Sequence, residues 1–162
     1  MPFPIFTKIH MKKQTIVLGL GNPLMSDEGI GVYLVNRLSG LSEKYPEVDF
    51  MDAGTGGLNL LHLFEGREKV VFIDCANMEE EPGKIRKFTP EQVKSVKQLA
   101  HQSLHEQDLL KIIEMAKKLD QCPKEIVIFG IQPKNIILGQ ILSDELENKI
   151  DDYINIILKE LS

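Results

Sequence analysis

The chain is poor in cysteine, has no long apolar run and carries no excess of positive charge. Its two cysteines, Cys75 and Cys122, form neither a metal-binding nor a disulfide spacing pattern, which favours a reduced protein of the cytoplasm. No apolar stretch approaches the roughly 18–20 residues that a membrane-spanning helix needs. The net charge of −5 argues against nucleic acid or an anionic membrane surface as the main partner.

The chain also lacks a recognisable signal peptide, internal repeats and low-complexity segments. Lys12 and Lys13 directly precede the first apolar run, and no small-residue cleavage site is evident before it. Met11 is an alternative start, which would make residues 1–10 an extra tail. We therefore interpret residues 1–13 as an N-terminal extension and residues 14–162 as a single domain, since 162 residues suit one domain with its own core.

Short apolar runs alternate with helical patterns along the rest of the chain. The predicted strands cover residues 14–18, 48–52, 69–74, 84–88 and 125–130, and the fourth of them is a short edge strand. The predicted helices cover residues 28–41, 57–64, 103–119 and 143–161, with Thr55 as the N-cap of the second. Most of these strands are apolar without alternation, which is typical of a sheet covered on both faces. We expect an α/β fold, a three-layer αβα sandwich around a mostly parallel sheet.

The most informative segment covers residues 19–31, which read GLGNPLMSDEGIG. It connects the first predicted strand to the first predicted helix, the place where open α/β sheets bind their ligands. A phosphate-binding turn would present backbone N–H groups and usually a Lys, whereas this turn carries Asp27 and Glu28. Carboxylates repel phosphate and attract cations or protons, so the segment indicates a metal site or acid–base chemistry.

A structural interpretation of the same two acids is open at this stage. Acids at the start of a helix offset the helix dipole, and Asp27 could be the N-cap. The glycines count against that interpretation alone, because Gly29 and Gly31 in the first turns each cost roughly 1 kcal/mol relative to Ala. Close approach of backbone or of a ligand would explain them.

Three carboxylates are expected to converge at one edge of the sheet. Glu28 follows the first predicted strand, Asp52 ends the second and Asp74 ends the third. Because the carboxyl ends of parallel strands share an edge, these side chains can lie close together. Asp52 also has a simpler explanation, since Asp before Ala53 and Gly54 is typical of an Asx turn. Asp74 could likewise cap a turn at the strand end.

A histidine is expected to join these acids. His105 lies in the first turn of the helix predicted for residues 103–119, where Ser103 and Glu106 form a capping box. A helix N-terminus disfavours the imidazolium, so His105 would be available as a neutral ligand. Glu, Asp and His together suit a borderline divalent metal such as zinc or nickel. A solvent-exposed helical role for His105 is the alternative; the other three histidines have no comparable signal: His10, His62 and His101.

These motifs, in this order, resemble those of the hydrogenase maturation endopeptidases, which are nickel-dependent processing proteases. The resemblance covers nearly everything from residue 15 to residue 142. It is carried by GLGN with DEGIG at residues 19–31, DAGTGGL at 52–58, Asp74 before a small residue, SLH at 103–105 and GIQP at 130–133. The chain departs from the family in its N-terminal extension and in Cys75, where Ala is common.

The resemblance implies a fold, a site and an activity. The fold would be a twisted five-stranded sheet between helices, and the catalytic, metal-contacting residues would be Glu28, Asp74 and His105, with Asp52 as a supporting residue. The activity would be removal of a short C-terminal peptide from the precursor of a [NiFe] hydrogenase large subunit, once nickel has been inserted. The nickel would belong to this substrate, so that the free enzyme need not hold a metal.

Three other functions share part of the pattern. Peptidyl-tRNA hydrolases also begin with a strand and GLGNP, but they need a His soon afterwards and a basic groove, whereas the first His after this turn is His62. A dinucleotide-binding domain would have a third glycine where this chain has Leu24. A non-catalytic nickel chaperone could use the same three ligands as the protease.

Overall fold

The computed structural model describes residues 12–97 and 104–162, with no description of the side chains of residues 94–97 and 104–108. Residues 1–11, which contain most of the predicted N-terminal extension and His10, lie outside the described residues, as do His101 and Ser103. The strands are β1 Thr15–Gly19, β2 Val48–Asp52, β3 Lys69–Cys75, β4 Ile85–Phe88 and β5 Glu125–Ile131. The helices are α1 Ile30–Ser39, α2 Asn59–Phe64, α3 Pro90–Lys97, α4 Leu104–Lys118, α5 Asp144–Glu147 and α6 Ile150–Glu160, with 3-10 turns at Pro23–Gly29 and Ser42–Lys44.

The five strands form one sheet in the order β2-β1-β3-β5-β4. β1, β2, β3 and β5 are parallel, and β4 lies antiparallel to β5 at the edge. The register aligns Gly19 with both Asp52 and Ile73, so the strands that precede the predicted site end side by side. We call this end of the sheet the carboxyl edge. The mostly parallel five-stranded sheet is confirmed.

Helices cover both faces of the sheet, and consecutive residues of the inner strands β1, β3 and β5 are therefore buried. In β1, Val17 packs into a cluster with α1 and α6, while Ile16 and Leu18 pack into a second cluster with α2 and α4. Burial of apolar surface at roughly 25 cal/mol per Å² holds each helix on its face. The three-layer sandwich is therefore confirmed. None of the helices in the described part of the chain is long and apolar enough to cross a membrane.

Three details of the helix prediction were wrong. The helix after β1 begins at Ile30 rather than at residue 28, because the preceding residues form a kinked 3-10 turn. The N-cap of α2 is Leu58, without a side-chain cap, rather than Thr55. The closing helix is divided, since the N–H of Lys149 bonds to the carbonyl of Leu146 at 3.0 Å and ends α5. The division was hidden because Leu146 and Ile150 are both buried in the same core cluster, so the apolar period runs through it.

Helix α3 was missed, although the sequence carries a signal for it. Gln92 N–H donates to Thr89 Oγ1 at 3.3 Å, and Thr89 N–H donates to Gln92 Oε1 at 2.9 Å. This reciprocal pair is a capping box, and Pro90 occupies the first helical position, which Pro favours. The segment Thr-Pro-Glu-Gln would have been sufficient to predict the start of the helix.

Candidate active site at the carboxyl edge

The acidic turn, Pro23–Gly29, positions Glu28 after β1. It is capped by Asn22, whose Oδ1 accepts the N–H of Leu24 at 3.0 Å, with Pro23 at the first turn position. The N-cap of α1 is Gly29, so the interpretation of Asp27 as an N-cap was wrong. Glu28 is half-buried in the last residues of the turn, directly before the glycine that begins α1.

The glycines of this segment are explained by close approach of backbone. A Cβ at Gly29 would lie 2.5 Å from the Cα of Pro23. A Cβ at Gly31 would lie 2.1 Å from the carbonyl oxygen of Ile73 and 2.3 Å from that of Leu20. Real side chains do not tolerate such contacts, so glycine is required at both positions. The start of α1 is thereby packed against the end of β3, immediately before Asp74.

Asp27 is fully buried and its carboxylate is satisfied by the segment that follows β5. Oδ2 accepts the N–H groups of Lys134 at 2.9 Å and Asn135 at 3.1 Å, and the hydroxyl of Ser143 at 2.8 Å. Oδ1 accepts the N–H of Ser143 at 2.7 Å. Hydrogen bonds to a charged acceptor contribute about 1.5–3 kcal/mol each, so this carboxylate is a strong internal anchor. Its role was not predicted, because its partners lie more than 100 residues away in the chain.

Ser26 reinforces the same junction from a strained backbone conformation. Its φ of 51° and ψ of −121° are rare for a residue with a side chain and cost about 1–3 kcal/mol. Its hydroxyl donates to the carbonyl of Asn135 at 2.8 Å and accepts the N–H of Ile137 at 2.9 Å. These two bonds, with nearly complete burial, hold Ser26 in that conformation.

The negative charge of Asp27 acts on Tyr153, which is buried in the core of the protein. Burial, with smaller contributions from the charges of Asp27 and Asp152, raises the pKa of Tyr153 to about 12. The Tyr153 hydroxyl donates to the carbonyl of Gly83 at 2.7 Å, which fastens α6 to the loop before β4. Tyr153 therefore remains a hydrogen-bond donor through the neutral pH range.

Asp74 is the penultimate residue of β3 and is only 3% exposed. It faces Gly130 in the register with β5, so no side chain projects from β5 at that position. A carboxylate buried to this extent is costly unless hydrogen bonds or a cation stabilise it. Glu28 and Asp74 thus lie at the same edge, on a turn and a strand that are packed together through Gly31.

His105 is the second residue of α4, which begins at Leu104. Its predicted place at the start of a helix is confirmed. Its side chain and the predicted capping residue Ser103 lie outside the described part of the chain, so the convergence of His105 with Glu28 and Asp74 stays a prediction. Among the side chains that are described, no group of three or more His, Cys, Asp or Glu is placed to hold a metal ion.

Asp52 forms the Asx turn that its sequence context favours. It ends β2 at the carboxyl edge, is exposed, and accepts the N–H of Gly54 on Oδ1 at 2.8 Å. The glycine loop that follows has positive φ at Gly54, Gly56 and Gly57, at 54°, 81° and 93°. Gly21 N–H donates to the carbonyl of Gly54 at 2.7 Å, which attaches this loop to the turn after β1. Asp52 therefore shapes the loop, and its contact with a ligand stays a prediction.

An exposed apolar surface next to the acidic turn was not predicted. Leu138 and Ile141 are its most exposed members, at 72% and 83%. Its aliphatic side chains come from the acidic turn and from residues 136–141: Leu24, Ile136, Ile137, Leu138 and Ile141. An open cavity of about 270 Å³ lies beside it, lined in part by Gly29, Tyr33 and Leu142. Contiguous exposed aliphatic residues on a folded protein are typical of an interaction site. The run Ile-Ile-Leu in a stretch without strand or helix pattern was the available signal.

Comparison with known proteins agrees with this architecture. The family model described as "Hydrogenase maturation protease" matches residues 32–160. The chain is 31% identical over 121 residues to the hydrogenase expression/formation protein HupD of Bradyrhizobium diazoefficiens, covering 75% of this chain and 63% of HupD. It is 30% identical over 156 residues to a protein of Methanocaldococcus jannaschii named as a hydrogenase maturation protease, covering 93% and 97% of the two chains.

Solved structures show the same fold. The hydrogenase maturating endopeptidase HybD of Escherichia coli superposes with a TM-score of 0.80 at 25% identity, over 91% of each chain. The [NiFe] hydrogenase maturation protease HybD of Thermococcus kodakarensis superposes with a TM-score of 0.76 at 28% identity, over 92% of this chain and 99% of that one. The chain spans only about three fifths of some curated relatives, such as HupD and the HoxM of Cupriavidus necator. With a family model over most of its length, the chain belongs to the hydrogenase maturation protease family.

Proposed function

We propose that the protein is an endopeptidase that removes a C-terminal peptide from the nickel-loaded precursor of a [NiFe] hydrogenase large subunit. Family membership supports the class of reaction and the kind of partner. The observation that carries the site is the contact of Gly31 with the carbonyl of Ile73, because it holds the turn with Glu28 against the strand end with Asp74. A location in the cytoplasm belongs to the same proposal and is in keeping with Cys75 and Cys122 as thiols.

In this proposal Glu28, Asp74 and His105 contact the nickel that the substrate carries. Two carboxylates and an imidazole are suitable donors for that ion. Three donors from this chain leave coordination positions for the donors of the substrate itself. Cleavage therefore depends on nickel without a separate sensor, since a precursor without the ion lacks the link to these side chains.

Hydrolysis requires a water molecule to be deprotonated as it attacks the scissile carbonyl carbon. A carboxylate of the Glu28–Asp74 pair takes this proton, and the proton passes to the leaving amine nitrogen as the C–N bond breaks. The cation between the same residues would stabilise the negative charge that develops on the carbonyl oxygen. The glycine loop at Gly54, Gly56 and Gly57 offers backbone without side chains, along which an extended tail can lie beside Asp52.

The test is incubation of the purified protein with precursor that is either loaded with nickel or free of it. Mass spectrometry of the large subunit measures the loss of the C-terminal peptide. Glu28→Gln should abolish cleavage, whereas Asp49→Asn, which changes a carboxylate far from the carboxyl edge, should not. Equal cleavage of both precursor forms would refute the nickel-dependent mechanism. Nickel-dependent binding without any cleavage would identify a nickel chaperone instead.

A further inference from the structure

The segment at residues 133–143 has an unusual position in the molecule. It follows β5, contains neither helix nor strand, and carries four exposed aliphatic residues, Ile136, Ile137, Leu138 and Ile141. At its outer end Lys134 pairs with Glu145, and this hydrogen bond raises the pKa of Lys134. At its inner side it is bonded to the acidic turn. We call it the 133–143 segment.

The acidic turn and the 133–143 segment are joined by hydrogen bonds from three consecutive parts of the turn. Leu24 accepts the N–H of Gly139 on its carbonyl at 2.8 Å. Ser26 exchanges two bonds with the backbone of Asn135 and Ile137. Asp27 accepts four bonds, three of them from backbone N–H groups. The two segments therefore form one hydrogen-bonded unit.

Within the acidic turn, Glu28 lies between Asp27 and the closely packed Gly29 and Gly31. On one side, Asp27 is fastened to the 133–143 segment. On the other side, Gly29 and Gly31 are packed against Pro23 and the carbonyl of Ile73. The backbone of Glu28 is therefore held by the hydrogen bonds of Asp27 on one side and by the packing of Gly29 and Gly31 on the other. A substitution at Asp27 would loosen the first of these two constraints.

A carboxylate at position 27 suits the surrounding donors better than an amide side chain would. Its two oxygens face only donors, and Oδ2 alone accepts three of them. An asparagine has one acceptor oxygen and an NH₂ group, which would point at an N–H donor on one side. Ser143 is the N-cap residue of α5, but its hydroxyl bonds to Asp27 and makes no capping hydrogen bond to the helix.

We propose that Asp27 is a positioning residue for Glu28. By binding the 133–143 segment, its carboxylate fixes the acidic turn so that Glu28 is held towards Asp74 at the carboxyl edge. The inference rests on the proposed function for its catalytic readout. It assigns Asp27 no contact with the substrate, since its oxygens are occupied by internal donors.

The experiment compares turnover and binding in variants of the full chain. Asp27→Asn should lower kcat by roughly 10–100-fold, because misplacing a reacting group by about 1 Å has effects of that size. KM should change by less than about threefold, since the substrate surface is retained. Ser143→Ala, which removes one of four bonds, should lower kcat by about 2–5-fold. Asp49→Asn is the matched control, because it perturbs a bonded carboxylate at the opposite end of the sheet and should leave kcat unchanged.

A second measurement does not depend on cleavage. Backbone amide exchange should accelerate in Asp27→Asn at residues 24–31 and 133–143 together, and remain unchanged in β1 and β3. Ser143→Ala should show the same pattern to a smaller degree, which keeps the test available if Asp27→Asn folds poorly.

The outcomes separate this inference from the proposed function. Failure of the wild-type protein to cleave nickel-loaded precursor would remove the proposed function, while the exchange experiment would still decide whether Asp27 orders the acidic turn. Normal kcat in Asp27→Asn, or exchange that accelerates only in residues 133–143, would overturn the positioning role. A rise in KM with kcat unchanged would overturn it as well.

Discussion

Asp49 and Glu160 at the amino end of the sheet and Asp27 at its carboxyl edge are satisfied by different kinds of partner. At the amino end, Asp49 bonds to the guanidinium of Arg67 at 2.5 Å, and Glu160 bonds to the ammonium groups of Lys69 at 2.8 Å and Lys87 at 2.5 Å. At the carboxyl edge, Asp27 is bonded by backbone N–H groups and one hydroxyl. Cations at the amino end neutralise charge and join elements, whereas backbone donors at the carboxyl edge determine the path of a loop.

This difference separates stability from function within one molecule. Lysine and arginine partners are long and adaptable, so the amino end tolerates small displacements. Backbone donors have fixed positions, so the side chain at position 27 determines the conformation of the acidic turn. Substitutions at the amino end should therefore change the free energy of unfolding and leave activity intact, while those at the carboxyl edge should change activity as well.

The largest effect is expected at Asp74. Asp74→Ala removes a proposed ligand and little apolar surface, so processing should fall by at least about 100-fold while the fold is retained. Cleavage of nickel-loaded precursor and thermal unfolding measure the two quantities. Retained processing in a folded variant would contradict the proposed site and remove the functional side of the comparison.

The next largest effect is expected at Gly31 and concerns both stability and activity, because Gly31 packs α1 against β3 and positions the turn that carries Glu28. Gly31→Ala places a Cβ about 2 Å from two carbonyl oxygens, and it should destabilise the protein by about 1–3 kcal/mol and also lower kcat. Denaturant unfolding and cleavage kinetics measure these effects. Gly40→Ala is the control in the same helix region, since its nearest contact would be 3.3 Å away. An unchanged free energy of unfolding would show that the backbone contact with β3 is not needed.

At the amino end, Arg67→Met should affect stability alone. The Arg67 side chain is 4% exposed and bonds to Asp49, to the carbonyl of Lys13 at 2.7 Å and to that of Leu63 at 3.3 Å. Its loss leaves three partly buried acceptors without this donor and should cost about 2–3 kcal/mol. The midpoint of denaturant unfolding measures the cost. A change in kcat beyond about twofold would break the proposed separation between the two ends.

The smallest effect is the pH dependence of the Glu160 cluster. Burial raises the pKa of Glu160, but hydrogen bonds from Lys69 and Lys87 outweigh it, and the pKa is lowered from 4.5. The ionised cluster therefore stabilises the fold above about pH 4.5, and the contribution is lost as the pH falls through the lower folded value. Because Glu160→Gln abolishes this titration, the variant should be less stable near neutral pH by about 1 kcal/mol and lose less on acidification.

Burial lowers the pKa of Lys69, and its bonds with Glu160 and Glu125 outweigh this, so the pKa is raised from 10.5. The corresponding contribution is present at neutral pH and is lost as the pH rises through the folded pKa of Lys69.

Unfolding curves of the wild type and Glu160→Gln between pH 3 and pH 7 test the contribution of Glu160 on acidification. Parallel curves over that range would show that the cluster adds nothing to stability.

Much of the fold could be predicted because its signals are local. Unbroken apolar runs such as residues 70–73 mark buried strands, and the predicted strand at residues 48–52 matched β2 at both ends. The three proposed site residues lie on the elements where the sequence placed them: Glu28 on the turn after β1, Asp74 near the end of β3, and His105 at the start of α4. Its side-chain geometry stays a prediction, since His105 has no described side chain.

By itself, the sequence determined which segments are strands, which faces of the helices are apolar, and that acids follow the glycine turn. Those properties depend on neighbours in the chain or on a period of a few residues. Only the tertiary structure decided what Asp27 does, because its donors at Lys134, Asn135 and Ser143 are separated from it by 107 to 116 residues. It also decided why Gly31 is glycine, since the carbonyl of Ile73 approaches that position only when α1 is packed against β3.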